Sequence, residues 1–400
     1  MGVFSGPELV TAGLVFGYDS GSVMKSWRGA PATNLFTETN LNNWSKSATV
    51  ATSNFVAPFD ITTYLVEDDN ASAWESIDRN VTVANDSASY TLSLFVRKTY
   101  GGVSARLGFN SGFDTGGTTV AVNQRFNSDT GVATNGIVID YGDWWYWYFT
   151  ITNNSSGNTN LYCSFYPATG PYNSSDASSA VGTAVVGGFM LVAGSTAARF
   201  VAGARSNTQA LLDQTRLNTI TAASLTYASD GTFSFNGSSN LLTIPENSIF
   251  NTQTPTVEVW VKTNATTQNG FFFEKGDVNT QYALFQEGSN IVWRQTTNVG
   301  SLTATAASYI NTSQYAQIVG TYTAGDRRIY VNGVQVAADT LSYTIPTNTS
   351  GCSVGVYGGA TGSRGYYFNG TIGAVRVYNR ALTEAEVRRN FNALRGRFGI

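Results

Sequence analysis

GTYTAGDRRIYVNGVQV, residues 320–336, holds two alternating runs joined by Asn332-Gly333. Asn-Gly between alternating strands is the strongest short-range hairpin signal, because both turn residues must take positive φ. Working outward, strand-like runs recur at short intervals: 231–237, 240–245, 256–263, 270–276, 282–288, 290–296 and 315–323 upstream, then SVGVYGG and 370–379 downstream. Short strands at this spacing predict a β-sandwich. Beyond them, Thr383-Glu384-Ala385-Glu386 reads as a capping box, with Thr383 as N-cap and Glu386 reaching back. Val387, Phe391 and Leu394 supply the apolar stripe of one short helix, and Gly396 stops it. Arginines 388, 389, 395 and 397 form a basic tail, read as a solvated face that complements the helix dipole.

Toward the N-terminus, Leu14, Phe16 and Tyr18 alternate in one strand over 13–19, and Arg28 to Phe36 reads as an extended connector around Pro31. Residues 34–204 read as a sandwich of their own, with strands at 89–98, 104–110, 136–141, 144–152, 160–167 and 187–194. A small, polar stretch near 203–208 marks the boundary between this sandwich and the C-terminal half of the chain. The fold class is therefore all-β, with two jelly-roll β-sandwich domains and one short C-terminal helix. The expected organisation is 1–33, an N-terminal segment with one strand; 34–204, a sandwich of its own; and 205–400, the second sandwich with its helix.

Composition narrows the chemistry. Of 400 residues, 12% are charged and 13% aromatic, with 41 Gly and 8 Pro, which excludes intrinsic disorder. A net charge of -3 gives no basic field for nucleic acid. Histidine is absent, so no Ser-His-Asp or Cys-His pair, no His-ligated zinc and no His base can exist. Cys163 and Cys352 sit in strand-like runs far apart and read as small buried apolar residues. Glu67-Asp68-Asp69 lacks the Gly-punctuated spacing of a calcium loop and reads as a solvated turn. No metal site and no cofactor are expected. No apolar run reaches the ~18 residues of a membrane span, and MGVFSGPELVTAG lacks a signal peptide's basic flank and apolar core, so no membrane insertion is expected.

FSFNGSSNLLTIP (233–245), TVEVWVKT (256–263), GTYTAGDRRIYVNGVQV and FNGTIGAVRVYNRALTEAEV (368–387) together resemble the concanavalin A-like lectin/glucanase superfamily, specifically its laminin-G-like jelly rolls. The opening GPELVTAGLVFGYDSG and the ending RRNFNALRGRFGI resemble structural proteins of tailed, cyanophage-type bacteriophages. In those relatives a strand like GLVFGYD runs almost directly into a segment like DQTRLNTITAASLTYASDGTFSFNG; here 34–204 intervene, so the resemblance implies that 1–33 carry the first strand of the lectin-like domain and that 34–204 are a domain inserted after it. TNLF…NNW (33–44), YTLSLFVRK (90–98) and the strand opening at Trp144 make the intervening part similar to carbohydrate-binding-module-like jelly rolls. The resemblance implies a virion surface protein, either a head decoration or fibre or a tail-associated adhesin. Its implied partners are other capsid or tail proteins, further copies of itself and a host-surface glycan. A free carbohydrate-binding module without a virion role is the alternative.

Glucanases of this superfamily carry two catalytic carboxylates in an E-x-D-x-x-E strand motif, which nothing here matches. The nearest acids are Glu258 in TVEVW, expected to face solvent or pair with Lys262, and Glu274 with Asp277. A retaining glycosidase needs two carboxyls ~5.5 Å apart, and no spacing here predicts them, so no catalytic residues are expected. Two binding candidates remain. In the run 144–149, Trp145, Trp147 and Phe149 share one face and Trp144, Tyr146 and Tyr148 the other. One face must fill a core; the second is either a platform for sugar rings or a surface covered by a neighbouring subunit or the lectin-like domain. The loop 358–370 offers Arg364, Tyr366 and Tyr367 for hydrogen bonding and stacking, or else packs a tyrosine inward. Trp260 and Trp293 read as core.

Overall fold

The computed structural model describes residues 7–22, 26–99, 106–114, 119–169, 180–223, 225–227, 233–276, 281–296, 300–305, 309–310, 312–358 and 365–400. The chain divides into two compact units, Met1–Ala30 with Ser206–Ile400, and Pro31–Arg205. The first is discontinuous in sequence. Both are built of β-sheets, and the only α-helix among the described residues is Glu384–Leu394.

In the discontinuous unit an eight-stranded sheet faces a seven-stranded one. The first sheet is organised around Asn369–Tyr378, which pairs with Thr256–Thr263 on one side and with Leu14–Asp19 on the other. Beyond Thr256–Thr263 lie Ala316–Thr323, Asp326–Val331 and Val334–Asp339. The last two form the expected hairpin, with Asn332 at φ 50° and Gly333 at φ 77°. The second sheet runs Thr221–Ala223, Leu241–Ile244, Cys352–Val354, Gln268–Lys275, Tyr282–Gly288, Asn290–Arg294, Leu302–Thr305. Alternate residues of each sheet meet between them. Phe16, Tyr18, Val257, Val259, Val261, Val375 and Val377 of the first pack with Phe272, Phe273, Leu284 and Trp293 of the second in one buried core. Each such side chain contributes about 1.5–3 kcal/mol by leaving water.

The outer face of the eight-stranded sheet is covered as well. Trp260 stacks on Phe391 of the helix at 5.9 Å and on Phe398 beyond it at 4.4 Å. The capping box forms as read: Thr383 Oγ1 accepts from the Glu386 N–H at 3.3 Å, and the Glu386 carboxylate accepts from the Thr383 N–H at 2.9 Å. Arg380 adds a fork, donating to both oxygens of Glu386 at 2.9 and 2.6 Å. The basic tail departs from a purely solvated face. Arg388 is exposed and paired with Glu384 at 2.6 Å, whereas Arg397 is bound to Asp19 and Arg389 donates to the Glu8 carbonyl at 2.6 Å.

The continuous unit packs two six-stranded sheets. Its core joins Leu92, Leu94, Val96, Trp147, Phe149 and Leu191 of one sheet to Ile77, Leu107, Phe126, Leu161 and Phe165 of the other, with Phe126 and Trp147 stacked at 5.0 Å. Four of its strands, Thr49–Ala57, Ile61–Asp68, Ile77–Thr82 and Val120–Asn127, carry no clean alternation and escape a reading from sequence. Cys163 and Cys352 are buried and not joined in a disulfide. Glu67-Asp68-Asp69 is not a wholly solvated turn, because Asp68 is buried and accepts from the backbone N–H of Asn70 at 3.1 Å and of Glu75 at 3.3 Å. No group of three acidic or sulfur ligands that could hold a metal occurs among the described residues.

The Arg380 fork holds the Glu386 carboxyl down at about 2, with the Thr383 N–H assisting. The folded chain thus takes up this proton later than the unfolded one does. The stability so contributed is full at neutral pH, declines as pH falls from the ordinary carboxylate range toward 2, and is gone below that. Glu386→Gln keeps the cap but loses the ion pair. It should cost at most about 1 kcal/mol at pH 7 in urea unfolding, given partial exposure, and the difference from wild type should vanish near pH 2.

Candidate functional site

The outer face of the seven-stranded sheet carries an aromatic cleft, and a bulge creates it. Phe271, Phe272 and Phe273 are consecutive, so strict alternation would put Phe271 and Phe273 on one face. Instead the register shifts between them: Phe271 lies opposite Phe285, and Phe273 opposite Leu284. The extra residue turns Phe271 outward while Phe272 and Phe273 both enter the core. Phe271 and Phe285 then stack face to face at 4.3 Å with an interplanar angle of 3°. On the next strand Val292 lies opposite Phe285 and Arg294 opposite Ala283.

One wall comes from a loop. Tyr357 and Gly365 exchange backbone hydrogen bonds of 2.9 and 3.1 Å, which brings the chain back over the sheet. Tyr366 comes next at φ 51°, a left-handed conformation costly for an aromatic residue. Its carbonyl accepts from the Phe271 N–H at 3.2 Å. The strain leaves the Tyr366 ring 58% exposed, 6.4 Å from Phe271 and 6.0 Å from Tyr357. The resulting cleft has a volume of ≈ 320 Å³, with Phe271, Phe285, Tyr357 and Tyr366 as its aromatic lining.

Its polar groups are Asn269, Gln286, Glu287 and Arg294. Asn269 and Gln286 are engaged locally: Asn269 Oδ1 accepts from the Gly288 N–H at 2.8 Å, and Gln286 Nε2 donates to the Thr266 carbonyl at 2.9 Å. Arg294 differs. Its guanidinium carbon lies 4.7 Å from the Phe285 ring centroid, and its Nε is buried without an acceptor. A concave, aromatic surface with few placed polar groups suits a small organic ligand carrying both apolar faces and hydroxyls.

Of the residues singled out from sequence, Tyr366 lines this cleft, Tyr367 is half-buried outside the lining, and Arg364 lies outside the described residues. The aromatic strand of the other unit is different. Trp144 is only 6% exposed and clusters with Ala57, Ile61 and Phe95, against which Phe59, Tyr141, Tyr146 and Phe200 pack. The Tyr146 hydroxyl donates to the Ala198 carbonyl at 3.1 Å, and burial pushes it up to about 12. Tyr148 is half-buried, 5.7 Å from Tyr146. The supposed platform of Trp144, Tyr146 and Tyr148 is therefore corrected: the unit's own segments cover most of it. Phe271, Phe285, Tyr357 and Arg294 were missed from sequence. Arg294 after core Trp293 in NIVWRQT was the available signal, since it must face away from the core.

Residues 236–388 match the family model of Laminin_G_3, described as the concanavalin A-like lectin/glucanases superfamily. The matched residues resemble that superfamily and lie within the discontinuous unit. No curated protein matches the chain. Solved structures similar to it include the binding domain of botulinum neurotoxin serotype C1, at 14% identity and TM-score 0.38 over 47% of this chain and 51% of that one. Another is the binding domain of botulinum neurotoxin DC in complex with SialylT, at 14% identity and TM-score 0.38 over 47% and 50%. A third is domain 4 of AbnA, a GH43 extracellular arabinanase of Geobacillus stearothermophilus, in complex with arabinotriose, at 20% identity and TM-score 0.35 over 43% and 86%. The chain spans about half the length of the toxin structures. Likeness this distant does not bear on what the chain binds.

Within the discontinuous unit neither candidate acid is available to a substrate. Glu258 does not face solvent or pair with Lys262, whose ammonium lies 5.6 Å from the Tyr315 ring centroid. Glu258 points outward from the sheet, as alternation requires, but the C-terminal helix covers that face. It is fully buried and accepts from Trp260 Nε1 at 3.1 Å, Gln317 Nε2 at 3.0 Å and Asn390 Nδ2 at 2.8 Å. Glu274 is fully buried and accepts from the Gly358 N–H at 2.7 Å. Asp277 lies outside the described residues. Removing Glu258 leaves three donors and the Arg376 cation without their acceptor. Glu258→Ala should therefore cost about 3–5 kcal/mol, read as a lower urea midpoint at an unchanged m-value.

Proposed function

We propose that this chain is a non-enzymatic, glycan-binding surface protein of a tailed-phage virion, and that its lectin domain takes sugar in the cleft of Phe271, Phe285, Tyr357 and Tyr366. The observation that carries the glycan reading is the strained, exposed Tyr366 held over the stacked Phe271–Phe285 pair. Tyr366 is the ring that presents a flat face to the C–H face of a pyranose, above the buried Phe271 and Phe285, while the polar rim offers hydrogen bonds to its hydroxyls. The non-catalytic reading rests on the two candidate acids, both sealed beneath packed structure. The virion reading rests on the resemblance of GPELVTAGLVFGYDSG and RRNFNALRGRFGI to structural proteins of tailed phages. The N-terminal segment 1–12 or the C-terminal helix with its basic tail is the candidate for anchoring to the particle, and the two are joined: the Val10 N–H donates to Asn390 Oδ1 at 2.8 Å, and the Tyr378 hydroxyl to the Val10 carbonyl at 3.1 Å. A free glycan-binding module is the second reading, favoured by the same cleft.

Binding in the millimolar-to-micromolar range is expected on a glycan array. Tyr366→Ala should weaken it about tenfold, a loss of about 1.4 kcal/mol, with thermal stability little changed, because Ala keeps the Cβ and with it the left-handed strain. An array without hits removes the glycan reading. Gold-labelled antibody on purified particles separates the rest: label over the head marks a decoration or fibre, label at the tail an adhesin, and no label leaves the free module.

A further inference from the structure

The cleft has a polarity along its sheet, set by the pairing register. Three cross-strand pairs succeed one another on its floor: Ala283 with Arg294, Phe285 with Val292, and Glu287 with Asn290. Arg294 and Glu287 therefore flank Phe285 on opposite sides. Four residue steps along the strand place them about 13 Å apart, so the two charges lie at opposite ends of the cleft. Neither forms an ion pair within 4 Å among the described residues. Glu287 is exposed and Arg294 half-buried.

The Arg294 guanidinium is held in a particular way. Packed over the Phe285 ring at 4.7 Å, it is fixed through its flat face, which leaves the donors in its plane free to act as a fork. Ala283 opposite it is small and fully buried, and Glu274 beyond Ala283 is sealed, accepting from the Gly358 N–H at 2.7 Å and forming no ion pair with Arg294 within 4 Å. A planar fork without a carboxylate of its own, beside aromatic walls, is the chemistry that recognises a carboxylate on a ligand. Glu287 imposes the opposite requirement: its carboxylate repels a second anion and accepts hydrogen bonds from hydroxyls.

Building on the glycan reading, we propose that the cleft selects a mono-acidic saccharide, with the carboxylate of a uronic- or sialic-type sugar against Arg294 and a neutral, hydroxyl-bearing sugar at the Glu287 end. The exposed Tyr366 ring between them stacks on the linking portion. A polyuronate is disfavoured, because it would bring a carboxylate against Glu287.

The test uses the full chain and glycans matched in pairs that differ by one carboxylate, such as glucuronosyl-galactose against glucosyl-galactose and sialyl-lactose against lactose, with tri-galacturonate and a hexa-glutamate peptide alongside. Calorimetry should find at least one acidic member bound tenfold or more tighter than its neutral partner, with the advantage reduced in 0.5 M NaCl. Arg294→Gln should abolish that advantage, bringing the acidic member's affinity down to that of its neutral partner. Arg294→Lys, which keeps the charge but not the fork, should restore only part of it. Glu287→Gln should raise the affinity for tri-galacturonate several-fold. Equal affinity within every pair, or an acid preference unmoved by Arg294→Gln in a protein that melts like wild type, overturns the selectivity and leaves glycan binding standing. Hexa-glutamate binding as tightly as the acidic sugar overturns the saccharide assignment. No binding of any sugar removes both readings together.

Discussion

Arg376 is fully enclosed between two carboxylates, at 3.7 Å from Asp19 and 3.5 Å from Glu258, and none of its guanidinium nitrogens makes a well-aligned hydrogen bond to protein. A cation this deep is tolerated only because both anions are present. Each comes from a neighbour of its own strand: Asp19 from Leu14–Asp19, Glu258 from Thr256–Thr263. Each is anchored a second time by the C-terminal region, Asp19 by Arg397 and Glu258 by Asn390. Asn390 satisfies its own amide completely, accepting from Val10 and donating to Glu258 and to the Tyr378 hydroxyl at 2.9 Å. Four separate stretches of chain thus agree on one charge cluster. Such a cluster adds little net stability over an apolar filling. What it does is penalise any arrangement in which one of the four is missing.

The hairpin at Asn332-Gly333, the capping box and most strands of the discontinuous unit were legible because each is decided within about ten residues. The strand Thr49–Ala57 was not. Most of its residues, Phe55 and Val56 included, are exposed, so no period of two is written into TVATSNFVA. Glu258 was misread for a different reason. Alternation correctly turned it away from the core, but the helix that buries it begins more than a hundred residues later. Period reports which way a side chain points, and only tertiary structure decides what it meets there.

The same distinction governs the aromatic residues. Six consecutive aromatics at 144–149 looked like a binding surface, and most are structural: one side fills a sandwich core and the other is capped by Phe59, Tyr141 and Phe200. Three consecutive phenylalanines at 271–273 looked like a buried strand, yet one of them floors the cleft. The difference is a single inserted residue in the pairing. A bulge is invisible to any reading that assumes strict alternation, and so the candidate site was legible only at Tyr366, where a glycine-rich loop announced itself.

The discontinuity of the first unit bears on its birth. Tyr18 hydrogen-bonds the carbonyl of Ile372, 354 residues further along the chain. At roughly 5–20 residues per second, the ribosome needs tens of seconds to deliver that partner. Throughout this interval Leu14–Asp19, an apolar strand with both edges unsatisfied, is already outside the tunnel. Residues 31–205 contain a complete core of their own and can fold meanwhile, so the order of assembly runs from the middle of the chain outward. Until the last strand arrives, Leu14–Asp19 lacks the partner that closes its sheet.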